Sequence, residues 1–127
     1  MAGSGGMLIG LGHDIQLIAE LTKVEALKLP GIFFTNTECL YFSQSKNPLQ
    51  SMAGTFSAKE ALFKALAMAP NFYWTDVEVR HNSRYAPYFE FYGSLAEHFQ
   101  VQGWTVHLSI SHSGDYVSTV VAISPQP

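Results

Sequence analysis

The sequence predicts a single α+β domain in which helices pack over a largely antiparallel sheet. Three observations carry that expectation. The first half of the chain holds segments whose apolar residues recur at three- and four-residue spacing, the mark of helices. The second half alternates apolar and polar residues with period two, punctuated by turn residues. The order (strand, three helices, two strands, helix, two strands) contains no repeat, low-complexity tract or linker at which to divide it. With 127 residues, 47% of them apolar, one domain can bury a respectable core.

Met1 to Gly6, MAGSGG, reads as a flexible leader or tag remnant, which leaves one domain over residues 7–124. Met7 to Asp14, MLIGLGHD, reads as a strand with Leu8, Gly10, Gly12 and Asp14 on one face. Two glycines on that face leave room for a close approach. Ile15 to Leu29 has Leu17, Ile18, Leu21, Val24 and Leu27 at helical spacing and is stopped by Pro30-Gly31. Thr35-Asn36-Thr37-Glu38 is a capped helix start, and that helix runs to about Ser45. Asn47-Pro48 opens a long helix through Ala69, closed by Pro70-Asn71. Thr75 to Arg80 and Pro87 to Tyr92 read as strands joined by the turn Asn82-Ser83-Arg84, the second at an edge. A helix capped by Ser94 ends at Gly103. Thr105 to Ser111 and Val117 to Ile123 form a closing hairpin about Ser113-Gly114-Asp115.

The net charge of −3 argues against nucleic acid as a partner, because there is no basic surplus to displace counterions. No apolar run approaches the length of a membrane span, and the start lacks the pattern of a signal peptide. The single cysteine, Cys39, has no internal disulfide partner and reads as a reduced, partly buried thiol, in keeping with a cytoplasmic setting. Only seven lysines and arginines are present, and Lys59 and Lys64 are two of them.

Those two lie in FSAKEALFKAL, Phe56 to Leu66. Ala53, Phe56, Phe63 and Ala67 mark one helix face, and Glu60 takes the seat between the phenylalanines. A carboxylate there must be paired, hydrogen-bonded or bound to a cation. Lys64, one turn on, makes an ordinary helix ion pair the simplest reading. Asp14 by itself reads as a cap for the helix that follows, His112 as a turn histidine, and Lys59 as a solvated helix residue. Phe56, Phe63, Trp74 and Trp104 read as core. Taken together, two carboxylates from separate elements suit a hard cation such as magnesium, and neighbouring lysines suit phosphate. That combination suggests phosphoryl chemistry on a diphosphate-bearing substrate.

Four segments in order also resemble one family. GLGHDIQLI resembles the opening strand of the holo-(acyl carrier protein) synthases, the short type of 4'-phosphopantetheinyl transferase. FTNTECLYF is similar to their second helix, FSAKEALFKAL to their central motif, and LSISHSGDYVSTVVAI to their closing hairpin. The resemblance implies a magnesium-dependent enzyme that moves 4'-phosphopantetheine from coenzyme A to a serine of an apo acyl carrier protein or carrier domain. Adenosine 3',5'-bisphosphate would leave. It implies Asp14 and Glu60 as metal ligands and Glu60 as the group that activates the serine. Lys64 would stabilise or protonate the departing phosphate, and Lys59, Lys64, His112 and Ser113 would hold coenzyme A. A homotrimer with its site at the subunit boundary is implied too.

The chain departs from the family at three places. Thr55 stands where an arginine is usual, and the turn Ser83 to Pro87 lacks a glycine before its proline. IAELTKVEALK sets Glu20 and Glu25 against Lys23 and Lys28 where arginines usually face the acidic carrier. Steering of an acidic carrier is weakened accordingly, which argues against the free fatty-acid carrier as the main substrate and leaves a carrier domain of a polyketide, nonribosomal or polyunsaturated fatty-acid synthase equally open. The alternative is a non-catalytic module that docks carriers or coenzyme A. A magnesium-dependent nucleotide hydrolase would need a Gly-rich phosphate loop that the sequence does not supply.

Overall fold

Alternate glycines in the opening strand decide where the longest helix lies. In the computed structural model, which describes residues 7–29, 31–67 and 71–127, strand β1 is Gly10–Leu17 and the long helix α2 is Pro48–Ala65. A Cβ on Gly12 would overlap the Ala61 carbonyl oxygen, and one on Gly10 the Ala65 carbonyl oxygen. The helix backbone therefore rests directly on the strand, so the glycine face is covered by this chain's own helix. The leader, the Pro30 stop and the expected helix end at Ala69-Pro70 fall outside the described residues.

β4 (Trp104–Ser113) and β5 (Tyr116–Pro125) form the expected hairpin, closed at Gly114, whose φ of 57° suits glycine. β1 pairs antiparallel with β5, giving a three-stranded sheet in the order β1-β5-β4. That pairing corrects two expectations. β1 does not end at Asp14 but continues through Gln16↔Val117 and Leu17↔Tyr116, so Asp14 is a mid-strand residue opposite Thr119 and caps no helix. The segment expected as one helix from Ile15 to Leu29 instead gives its first three residues to the strand. It then makes two 3-10 segments, Ile18–Lys23 and Glu25–Lys28, separated by an extended Val24. Ladder partners in β5 outweigh the helical spacing of the leucines.

Helix α1 (Asn36–Gln44) begins as its sequence indicates. Thr35 Oγ1 accepts from the Glu38 amide at 3.2 Å, and the Thr35 amide donates to Glu38 Oε1 at 2.9 Å. In α2, Asn47 Oδ1 accepts from the Gln50 amide ahead of Pro48. β2 (Val77–His81) and β3 (Pro87–Phe91) make a separate two-stranded sheet. Helix α3 (Gly93–Gln102) starts one residue earlier than expected, so Ser94 lies inside it and is not the cap; Gly103 closes it in the left-handed region.

The core forms where Ala58, Ala61, Leu62 and Ala65 of α2 meet Val121 and Ile123 of β5, Val77 and Val79 of β2, and Leu95 and Phe99 of α3. This is not the helix face first expected. Of Ala53, Phe56, Phe63 and Ala67, only Ala53 is fully buried, and Phe63 is 42% exposed. Glu60 therefore sits at the margin of the packed face, half-buried, and not between two core phenylalanines. Cys39 is exposed, contrary to the reading as a partly buried thiol. The outer face of the three-stranded sheet leaves Leu11, Ile15 and Val120 open to solvent. No described helix is long and apolar enough to cross a membrane.

Candidate active site

Asp14 reaches α2 because the strand and helix touch with no side chain between them. One turn before Glu60, Ser57 Oγ donates to Asp14 Oδ2 at 2.7 Å and lies 2.8 Å from Thr119 Oγ1. Thr119 in turn donates to the Ser57 carbonyl at 3.0 Å. All three groups are buried, so the network fixes the carboxylate's orientation. From the next turn of α2, Lys64 Nζ donates to Asp14 Oδ1 at 3.1 Å and to the His13 carbonyl at 3.0 Å. Lys64 keeps half its side chain exposed.

Glu60 completes this edge. Its carboxylate has no hydrogen-bond or ion-pair partner among the described residues. Burial first, and then the charge of Asp14, push its carboxyl above the usual carboxylate range, while Lys64 pulls the other way. A second carboxylate that makes Glu60 costlier to ionise, with an ammonium at their side, makes an edge chemically suited to a divalent cation and phosphate oxygens. No third His, Cys, Asp or Glu joins them among the described residues. A cation here would take two protein oxygens and leave its other positions to water or substrate, the habit of magnesium.

The structure thus brings Asp14, Glu60 and Lys64 together. It does not bring Lys59, His112 or Ser113 to them. Lys59, expected at coenzyme A phosphates or in solvent, is wholly buried. Its Nζ donates to Glu38 Oε1 at 2.8 Å, the Phe33 carbonyl at 2.7 Å and the Trp74 carbonyl at 2.9 Å, with the Phe33 and Phe34 rings alongside. Glu38 Oε2 accepts from the Val79 amide at 2.7 Å. Burial pushes the Glu38 carboxyl up and the Lys59 ammonium down, and each group opposes the other's shift. With every ammonium proton engaged, Lys59 has none left for a phosphate; it ties α1, α2 and β2 together.

His112 lies on β4, with β5 between it and β1 and in register with Gln16, so it stands roughly 12 Å from Asp14, at about 4.8 Å per strand step and about 3.4 Å per residue along the strand. It lines a cavity of about 260 Å³ on the other flank of α2, with Ser51, Thr55, Tyr41, His81 and Tyr85. Thr55 and Glu60 are roughly 140° apart around that helix, at about 3.6 residues per turn. Ser113 ends β4 at the hairpin tip, exposed, opposite Tyr116.

Sequence reasoning missed Ser57, Thr119 and Glu38. A serine inside a helix, one turn before an acidic candidate, was the available sign for Ser57. Glu38 was visible only as a helix cap, a role it also fills.

An acid pair with a lysine, set by a helix lying on an antiparallel sheet, is chemically suited to phosphate esters. The 4'-phosphopantetheinyl transferase superfamily matches the chain over residues 10–121. Holo-[acyl-carrier-protein] synthases of Deinococcus radiodurans and Clostridium tetani are 30% and 36% identical to it. They span 92% and 86% of this chain and 93% and 90% of their own length. The crystal structure of the holo-[acyl-carrier-protein] synthase from Neisseria meningitidis superposes with a TM-score of 0.81 at 29% identity, over 93% of this chain and 99% of that one. The Bacillus anthracis synthase in complex with CoA (3',5'-ADP) gives 0.77 at 27% identity, over 95% and 100%. This chain belongs to the 4'-phosphopantetheinyl transferase superfamily.

Proposed function

We propose that this protein is a holo-(acyl carrier protein) synthase. It transfers 4'-phosphopantetheine from coenzyme A to a serine hydroxyl of an apo acyl carrier protein or carrier domain and releases adenosine 3',5'-bisphosphate. The observation that carries the reading is the Asp14–Glu60–Lys64 edge, held in place by Ser57. Similarity to the two holo-[acyl-carrier-protein] synthases and to the coenzyme A complex supports the choice of donor and acceptor.

Asp14 and Glu60 would hold magnesium, and the unpartnered, destabilised Glu60 carboxylate supports that fit. When bound, the cation neutralises charge on the donor diphosphate. Glu60 takes the proton from the carrier serine as its oxygen bonds to the phosphorus that bears the pantetheine arm. The bond from that phosphorus to the bridging oxygen breaks. Lys64 donates to the leaving phosphate, which departs as part of adenosine 3',5'-bisphosphate. Asp14 stays fixed throughout by Ser57 and Lys64.

His112 is a further donor to coenzyme A, but from the other flank of α2. A homotrimer resolves this: the Asp14–Glu60 edge of one copy faces the partner's His112, with Ser113 at the same hairpin tip. The open apolar patch of Leu11, Ile15 and Val120 supports such an assembly. The Glu20–Lys23 pair, at 3.6 Å, supports a charge-balanced docking segment and so a carrier domain of a polyketide, nonribosomal or polyunsaturated fatty-acid synthase. A single free cysteine supports a cytoplasmic setting.

Intact-protein mass spectrometry tests the reading. The chain is incubated with coenzyme A, magnesium and a panel of apo carriers, one free and several excised domains. A gain of one phosphopantetheine on a carrier, lost with Glu60→Gln or a chelator, is expected. Coenzyme A binding without gain on any carrier would replace the transferase with a docking module.

A further inference from the structure

Lys64 is the half-exposed member of an ion pair whose other member is held from two sides. Its Nζ donates to Asp14 Oδ1 at 3.1 Å and to the His13 carbonyl at 3.0 Å, which leaves one ammonium proton uncommitted. Asp14 is oriented from its other side as well, because the buried Ser57 hydroxyl donates to Oδ2 at 2.7 Å and is itself tied to Thr119. An ion pair with a lysine side chain 52% exposed adds little to stability. Both oxygens of Asp14 are thus engaged, and a cation on this carboxylate shares it with an ammonium. With Glu60 one turn from Lys64, the edge sets two carboxylates against one ammonium, a single net negative charge to meet a doubly charged ion. No third His, Cys, Asp or Glu among the described residues makes up the difference.

We propose that Lys64 keeps the cation from residing on the protein by itself, so that magnesium joins the edge only together with the donor's diphosphate. The inference rests on the transferase reading and extends it to the order in which the site fills. At a few ångströms, the repulsion between an ammonium and a doubly charged ion is worth about tenfold or more in affinity even at the dielectric of water. The same ammonium attracts phosphate oxygens, to which its third proton can be donated. Lys64 therefore acts on the two ligands with opposite signs: it opposes the cation and favours the diphosphate. When both are present, the charges of the diphosphate offset the ammonium and supply what Asp14 and Glu60 leave short. Lys59 has no such part, because its protons are spent inside the core.

Manganese, a hard cation that carboxylates bind as they do magnesium, loses its free-ion electron spin resonance signal on binding and so can be titrated directly. It is titrated with and without coenzyme A into the native chain, Lys64→Met, Lys64→Gln and Lys46→Met. Coenzyme A affinity is measured separately by calorimetry with a chelator present. Without coenzyme A, both Lys64 variants are expected to bind manganese about tenfold or more tightly than the native chain. With chelator, they are expected to bind coenzyme A about tenfold or more weakly. In the native chain, saturating coenzyme A should tighten manganese by about tenfold or more. Lys46 precedes α2, roughly 18 Å of helix from Glu60, so Lys46→Met should change neither affinity by more than about threefold, because salt screens charges beyond about 10 Å. Unchanged manganese affinity in both Lys64 variants would overturn the proposal, as would a native chain that holds manganese equally tightly with and without coenzyme A. Loss of both affinities in both variants would overturn it too, since opposite signs are its mark. A native chain that binds no coenzyme A under any of these conditions would overturn the transferase reading and this inference with it, a result that unchanged manganese binding does not resemble.

Discussion

Replacing Lys59 by methionine should be among the most damaging single changes available in this chain. The substitution keeps the length of the side chain and removes its charge. It leaves the Glu38 carboxylate fully buried with only two amide donors, from Thr35 and Val79. It also strips the Phe33 and Trp74 carbonyls of their Lys59 donor. Removing one partner of a buried ion pair costs about 3–5 kcal/mol. Against a total stability of about 5–15 kcal/mol for an ordinary domain, that is a large share. In urea titrations followed by tryptophan fluorescence, a loss of about 4 kcal/mol moves the midpoint by roughly 2 M, at a slope of about 2 kcal/mol/M. The double change Lys59→Met with Glu38→Gln should regain at least about 1 kcal/mol, because no buried charge is then stranded. A midpoint shift below about 0.5 M for Lys59→Met would refute the reasoning, since it would mean that the ammonium is not committed to Glu38. The surviving folded fraction should bind coenzyme A as the native protein does.

The other expectations concern the catalytic edge. Glu60 has a folded-state pKa raised by burial and by Asp14, so its contribution to stability is full below the unfolded carboxylate range and lost as pH rises through the folded value. Glu60→Gln should therefore melt higher than the native chain at about pH 7.5 without magnesium, and lose that advantage near about pH 4, where an ordinary carboxyl is largely protonated. Adding magnesium should raise the native melting temperature and leave the variant's unchanged; equal responses would remove Glu60 from the metal site. Ser57→Ala deletes a hydrogen bond to a buried carboxylate, worth about 1.5–3 kcal/mol, and should cut the transfer rate by roughly tenfold or more at an unchanged carrier KM. Gly12→Ala drives a methyl into the Ala61 carbonyl and should cost at least about 2 kcal/mol in the same urea titration.

What could be read from the sequence was what short-range chemistry decides. Thr35 and Glu38 are three residues apart, and their reciprocal bonds follow from that spacing. The β4–β5 hairpin follows from alternation about Gly114. The residue types of the site, an aspartate on the first strand and a Glu with a Lys one turn on, were also legible. Lys59 was not, because its partners Phe33, Glu38 and Trp74 lie 26, 21 and 15 positions away and two of them offer only backbone carbonyls. β1 was placed three residues too early, at the same length, because its last three residues pair with Tyr116, Val117 and Ser118, about a hundred positions on. The division of the candidate residues between two flanks of α2 depends on how that helix lies across three strands, which no local pattern encodes.

The contact between the bare backbone of β1 and that of α2 also bears on how freely this protein can vary. Most catalytic pairs are spaced by layers of side chains, and a repacked core shifts them by fractions of an ångström. Here the separation between the strand that carries Asp14 and the helix that carries Glu60 is gauged by main chain against main chain at Gly10 and Gly12. Leu62, Val121 or Phe99 can drift in size while the gauge stays the same. Tolerance in the hydrophobic interior and exactness at the acidic edge are thus separated, and two hydrogen atoms in place of two methyl groups are what separates them.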